Sequence, residues 1–101
     1  MKGNGKAYFI FDVKVNNIEA LKLYQEKVAE SYTRYGGKLK ILGGRMETIE
    51  GDPPQGVIVM LEFDCVENAR NWYNSFEYQE IIPYRHAAAE TNSWLVENIP
   101  E

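Results

Sequence analysis

The stretch GGRMETIEGDPPQGVIVMLEF, residues 43–63, decides the fold. Gly43-Gly44 interrupts an apolar segment that begins at Lys38, Asp52-Pro53-Pro54 has turn chemistry, and Val57 to Phe63 is apolar at almost every position. A strand with one wet face alternates apolar and polar residues, whereas one without a polar side is buried on both faces. In a chain of 101 residues that demand is hard to meet from one copy's own elements.

Working outward, KLKILGG (Lys38 to Gly44) reads as the preceding strand, with Leu39 and Ile41 in a two-residue period. The paired glycines are expected to mark a bulge, the strand resuming through Met46 and Thr48 to Glu50-Gly51. Upstream, KAYFIFDVKV (Lys6 to Val15) is rich in aromatic and β-branched residues. Alternation places Phe9, Phe11, Val13 and Val15 on one face, with Tyr8, Ile10 and Asp12 on the other. Between these strands Leu21, Tyr24, Val28, Tyr32 and Tyr35 recur at helical spacing, with Asn16 or Asn17 as the N-cap and Gly36-Gly37 as the stop. Downstream, Asp64 and Glu67 have capping-box spacing ahead of a helix carrying Val66, Ala69, Trp72, Tyr73 and Phe76 on one face. Ser75 caps a short helix through FEYQEII, Pro83 interrupts it, YRHAAAE adds a turn or two, and NSWLVENI forms the last strand.

The order β-α-β-β-α-(α)-β over residues 1–101 predicts one α+β domain. It is a ferredoxin-like antiparallel sheet with its helices on one face. In that topology the first and third strands are central, and Phe9, Phe11, Val13, Val59, Leu61 and Phe63 face the helices. Tyr8, Ile10, Ile58 and Met60 lie on the opposite face, an apolar patch that needs a cover. The simplest cover is a second copy, so a homodimer through the sheet face is expected.

Composition narrows the function classes. A net charge of −4 with eleven scattered Lys and Arg argues against nucleic acid. The longest apolar run, Val57 to Leu61, is far short of the ~20 residues of a membrane span. The start MKGNGKAYFIFDV is too short in its apolar part for a signal peptide, and the lone Cys65 has no internal disulfide partner. A cytoplasmic location follows as an expectation. GNG at Gly3 to Gly5 precedes a strand rather than a helix and so does not read as a phosphate cradle. With one His and one Cys there is no metal-ligand spacing, and no cofactor motif is present.

An ordered set of short motifs adds to this reading. Tyr35-Gly36-Gly37-Lys38, Gly43-Gly44, Glu50-Gly51, Glu62-Phe63, Ala69, Trp72-Tyr73, Ser75 with Glu77-Tyr78-Gln79, and Arg85 together span nearly the whole chain. They resemble a family of small bacterial proteins of unknown function in the dimeric α/β-barrel superfamily. The resemblance implies a ferredoxin-like protomer dimerised sheet to sheet, and no particular activity. Relatives in that superfamily include cofactor-free monooxygenases, lactone isomerases and haem enzymes. Phe76 stands where many members have Pro, and Asp64-Cys65 where members tend to have Pro-Ser.

Several side chains are candidates for chemistry. Asp12 and Glu62 interrupt central strands on the face away from the helices, where a carboxylate could act as general base; the alternative is a pairing with Lys, Arg or a backbone amide. Arg85 beside His86, the only histidine, could hold an anionic substrate while the imidazole moves a proton; the alternative is a solvated helix face. Arg85 belongs to the family pattern. Tyr73 and Tyr78 could line a ligand cleft between helices and sheet, while Trp72 and Tyr73 have the spacing of core residues. Cys65 reads as a small buried residue, since Asp64 and Glu67 oppose a lowered thiol pKa. Two functions fit. One is a cofactor-independent enzyme or binding protein for a small organic molecule, with Tyr73, Tyr78 and Arg85 around the ligand and Asp12, Glu62 or His86 supplying acid–base chemistry. The other is a non-catalytic structural or regulatory homodimeric module.

Overall fold

Aromatic and β-branched residues form strand β1, Ala7–Val15. The computed structural model describes residues 5–99, so Gly3 and Asn4 of the GNG stretch lie outside the described residues. After β1 come α1 (Ile18–Thr33), β2 (Lys38–Leu42), β3 (Val57–Phe63), α2 (Val66–Tyr73), α3 (Phe76–Ala88) and β4 (Ala89–Glu97). The sheet order is β4-β1-β3-β2, and every neighbouring pair is antiparallel. This is the ferredoxin-like arrangement, with β1 and β3 at the centre.

Register sorts the residues by face. Ala7, Phe9, Phe11 and Val13 of β1 are buried beneath the helices, as are Leu61 and Phe63 of β3. Trp72 of α2 is fully buried and stacks on Phe63 at 5.6 Å, edge-on to Phe9 and Phe11. Its indole N–H donates to Ser31 Oγ at 3.0 Å, and Ser31 in turn donates to the Val28 carbonyl. That pairing satisfies both polar groups in the core and ties α1 to α2.

The opposite face is crossed by rows of facing residues. One row runs Ile41, Met60, Ile10, Trp94 across all four strands, and the next runs Lys38, Glu62, Tyr8, Val96. Trp94 is 51% exposed, and Val96 and Ile41 are exposed as well. Strand β3, apolar at every position but Glu62, thus has one face on the core and the other open within a single copy.

Local sequence signals set the helix ends. Asn17, in extended backbone, accepts from the Ala20 amide at 3.1 Å and caps α1. Ser75 accepts from the Tyr78 amide at 3.1 Å and caps α3.

Five local expectations are corrected. Gly43-Gly44 does not sit in a continuing strand: both residues have left-handed backbone, φ +63° and +84°, and turn the chain away from β3. The Gly43 amide makes a last bond to the Ile58 carbonyl at 2.8 Å, and residues 43–56, with Met46 and Thr48, form no strand. The register shift lies earlier, between Leu39 and Ile41. The N-cap of α2 is Cys65 with no side-chain cap, since Asp64 stands one residue too early and lies 3.6 Å from Lys6 Nζ. Pro83 does not break α3, because burial of Ile81, Ile82 and Arg85 on its inner side offsets one lost backbone bond. Consequently Phe76–Ala88 is one helix, with Arg85 and His86 in its last turn, and β4 begins at Ala89 rather than Asn92. Phe76 is the first residue of α3, exposed, and not part of the α2 face.

Candidate functional site

Helix α1 leans on α3 and is held off the sheet. The gap beneath it is a cavity of about 670 Å³. Its roof is the apolar stripe of α1 (Leu21, Tyr24, Val28, Tyr32), its floor Val13, Val57, Val59 and Leu61, and its rim Val15, Ile18, Leu39 and Leu42. The stripe and the sheet face were both legible as apolar surfaces, and here they oppose one another without closing. A sealed dry void of this size would cost ~16 kcal/mol at ~24 cal/mol per Å³. That exceeds the whole stability of most domains. The cavity is instead open to solvent: Val15, Ile18, Leu39, Leu42 and Val57 are all exposed along its mouth.

The polar end of the cavity is built by α3. Arg85 alone from that helix lines it, and Arg85 is only 4% exposed. Its guanidinium carbon lies 5.5 Å from the Phe11 ring centroid and 5.6 Å from that of Tyr24. Nη2 donates to Tyr78 Oη at 3.3 Å, and the Tyr78 and Tyr24 hydroxyls are 2.7 Å apart. Nε is buried with no partner. Among the described residues no carboxylate lies within ion-pair distance of this cation.

Electrostatics keep this cluster positive. Burial raises the Tyr24 pKa well above its ordinary value, and the neighbouring Tyr78 oxygen adds to the shift. Burial also raises that of Tyr78, against the opposing charge of Arg85. Burial disfavours the charged guanidinium, but the two tyrosine oxygens outweigh it and the Arg85 pKa goes up. Both phenols are therefore neutral donors at physiological pH, beside a permanent cation.

The residues singled out in the sequence fall into different places. Arg85 lines the cavity; Tyr78 is fully buried one hydrogen bond behind it. Tyr73 is partly buried, stacks on Phe9 at 5.4 Å and does not line the cavity. Asp12 is on the opposite face of the sheet and 5% exposed, its oxygens accepting from the Gln55 amide at 2.9 Å and the Gly56 amide at 2.8 Å. It pins the end of the β2–β3 connection to β1. Gly56 fits there because a Cβ would strike the Val13 carbonyl. Glu62, also on the opposite face, accepts from the Tyr8 hydroxyl at 3.1 Å and has Lys6 and Lys40 each 4.0 Å away. His86 is exposed in the last turn of α3 and does not line the cavity. Sequence parity puts Asp12 and Glu62 on one side of the sheet correctly, but the cavity is on the other. Tyr24 was read only as a helix-face residue; its place in α1's apolar stripe concealed that its hydroxyl reaches Tyr78. Among the described residues no three His, Cys, Asp or Glu side chains gather as a metal site would require.

Fold and cavity define an α+β protein of the ferredoxin-like class with an apolar cleft between helix and sheet. The chain belongs to the family described as Domain of unknown function (DUF1330), whose model matches residues 6–99. No curated protein matches it. Among solved structures it is similar to a protein of unknown function from Rhodopseudomonas palustris at 17% identity and a TM-score of 0.76, over 97% of this chain and 85% of that one. A Bacteroides thetaiotaomicron protein, described as conserved, of unknown function and a possible oxidoreductase, matches at 15% identity and TM-score 0.67, over 95% and 100%. SnoaB, a cofactor-independent oxygenase from Streptomyces nogalater, matches at 9% identity and TM-score 0.63, over 91% of each chain. At these identities the similarity is one of fold.

Proposed function

We propose that this protein binds a small, largely apolar organic molecule in the cavity under α1, with the polar end of the ligand at Arg85. One observation carries the reading: a guanidinium buried at 4% exposure, without a carboxylate partner among the described residues, at the end of an apolar cleft. Burying an unpaired cation is costly, and a chain that does so gains most when a ligand completes the pair. The volume of about 670 Å³ falls in the range of small-molecule sites, which are mostly apolar with a few placed polar groups.

Binding is favoured over acid–base catalysis by what the cleft lacks. Asp12 and Glu62 lie across the sheet, His86 is outside, and the titratable groups lining the cavity are Arg85, Tyr24 and Tyr32. Turnover in this cleft would need a substrate that is itself acidic, its anion stabilised by Arg85. SnoaB, which is similar in fold at 9% identity, is described as a cofactor-independent oxygenase, and that supports keeping turnover without a cofactor as a second reading. Calorimetric titration with apolar carboxylates such as decanoate and 1-naphthoate tests the reading, with micromolar to millimolar binding expected. Absence of binding by wild-type protein at millimolar ligand, with Arg85→Met no different, would refute it.

We propose further that the open sheet face is covered by a second copy of the chain. The row Ile41, Met60, Ile10, Trp94 supports this, since an apolar band across a whole sheet is uncommon on a soluble monomer. Light scattering is expected to return twice the chain mass; a monomer at micromolar concentration would overturn it.

A further inference from the structure

Resting on the ligand-binding reading above, we infer that Tyr24 is the residue that donates a hydrogen bond to the ligand, and that the ligand is the oxyanion of an apolar acid, held jointly by Tyr24 and Arg85. The argument follows the hydroxyl protons. Arg85 can only donate, so Tyr78 Oη is its acceptor. One hydrogen lies between Tyr78 and Tyr24, whose oxygens are 2.7 Å apart, and it belongs to one of them. If Tyr24 donated it, Tyr78 would need another acceptor for its own proton. Tyr78 is fully buried, and no other acceptor for its hydroxyl is found among the described residues. That arrangement strands a buried O–H, which native interiors avoid.

In the reverse arrangement the buried Tyr78 hydroxyl is satisfied both as acceptor and as donor. Arg85 donates to Tyr78, Tyr78 donates to Tyr24, and the proton of Tyr24 is left over. Tyr24 lines the cavity and Tyr78 does not, so the surplus proton emerges where a ligand would sit. The donor chain starts at a cation, which polarises each successive hydroxyl. Tyr24 is thus the ligand-contacting group, and Tyr78 is a positioning residue that orients it.

The inner end of the cavity then offers donors and positive charge: the Tyr24 hydroxyl and a guanidinium with an unpaired Nε. Of the other polar lining residues, Gln25 is exposed and Tyr32 packs edge-on to Trp72. A neutral alcohol or amide would bring its own N–H or O–H to an end with no acceptor to spare. A carboxylate, phenolate or enolate brings only lone pairs, and its apolar body matches the walls. Burial keeps both phenols from ionising in competition with it.

The test uses 4-nitro-1-naphthol, whose anion absorbs visibly, and its methyl ether, which has the same body and no acidic proton. Two donors and a cation should lower the bound naphthol pKa by at least about one unit, a tenfold preference for the anion. Tyr24→Phe should return most of that shift and weaken the naphtholate more than the methyl ether, since the lost hydrogen bond is charge-assisted only for the anion and the ring remains in the cavity wall. Tyr78→Phe should return a smaller part of the shift, a spectroscopic change that a merely structural tyrosine would not produce. It reads the same donor chain should the Tyr24 variant fold poorly. An unshifted naphthol in wild type, or a shift that both Phe variants leave intact, overturns the inference and leaves the binding site standing. Failure of wild type to bind either compound overturns the ligand-binding reading with it.

Discussion

Replacing Arg85 with Met separates a ligand anchor from a structural cation, because the two roles predict stabilities several kcal/mol apart. Removing a guanidinium from water leaves a penalty of several kcal/mol even after relaxation. Against it stand one charge-assisted hydrogen bond to Tyr78, ~1.5–3 kcal/mol, and two ring contacts, to Phe11 and Tyr24, at ~0.5–2 kcal/mol each. Cost and recovery nearly cancel, so the empty protein gains little from its own arginine. Methionine keeps the buried stem, places a thioether against the same rings, and leaves the two hydroxyls bonded to each other. The expected change in unfolding free energy is within ~1 kcal/mol, a shift in Tm of no more than ~4–8 °C for a domain this size. Urea unfolding followed by the fluorescence of buried Trp72 measures it, alongside loss of binding to the naphtholate. A loss of ~3 kcal/mol or more is what breaking a buried ion pair costs, and would show that Arg85 holds the fold together rather than a ligand.

Asp12→Ala removes the acceptor of two backbone amides and should cost ~2–3 kcal/mol in urea unfolding, whereas a change within ~0.5 kcal/mol would show the β2–β3 connection to be held otherwise. Met60→Lys puts a charge between Ile10 and Ile41 and should convert the proposed dimer to a monomer with lower Tm; a variant that stays dimeric at unchanged Tm would place the interface elsewhere. At alkaline pH the signs follow from the phenols. Tyr24 and Tyr78 have pKa values above the ordinary 10.0 in the fold, so the unfolded chain loses those protons first. Their contribution to stability is complete below pH ~10 and is lost as pH rises toward the folded-state values. Denaturation midpoints measured from pH 8 upward should therefore fall more steeply in wild type than in a Tyr24→Phe, Tyr78→Phe double variant, and parallel curves would contradict the burial of these hydroxyls.

Periodicity and capping chemistry, both local, were sufficient for the ferredoxin-like order of elements. Alternation in Ala7–Val15 separates the faces of β1, the three-and-four spacing of Leu21, Tyr24, Val28 and Tyr32 identifies the inner stripe of α1, and Asn17 and Ser75 sit where caps must. Arg85 was legible as a candidate through the motif that carries it, and the open apolar face through the missing polar side of β3. What depended on the sign of φ or on long-range packing was not legible. Gly43-Gly44 is compatible with a bulge or with a turn, and the left-handed backbone at both residues decided for the turn. Pro83 usually ends a helix, but the packed side of α3 outweighed one missing bond. The site itself lies entirely in this second category. Asp12 and Glu62 looked like chemistry because carboxylates in strands are costly, and only the fold showed the amides, the hydroxyl and the lysines that occupy them. Sequence by itself determined which residues seek burial and in what order the elements follow. Tertiary structure alone decided that α1 stands away from the sheet, and that Tyr24, Tyr78 and Arg85, up to 61 positions apart in the 101-residue chain, converge at the end of the gap. Periodicity along a chain specifies a face; the distance between two faces is set by how their elements pack against a third, here by α1 resting on α3.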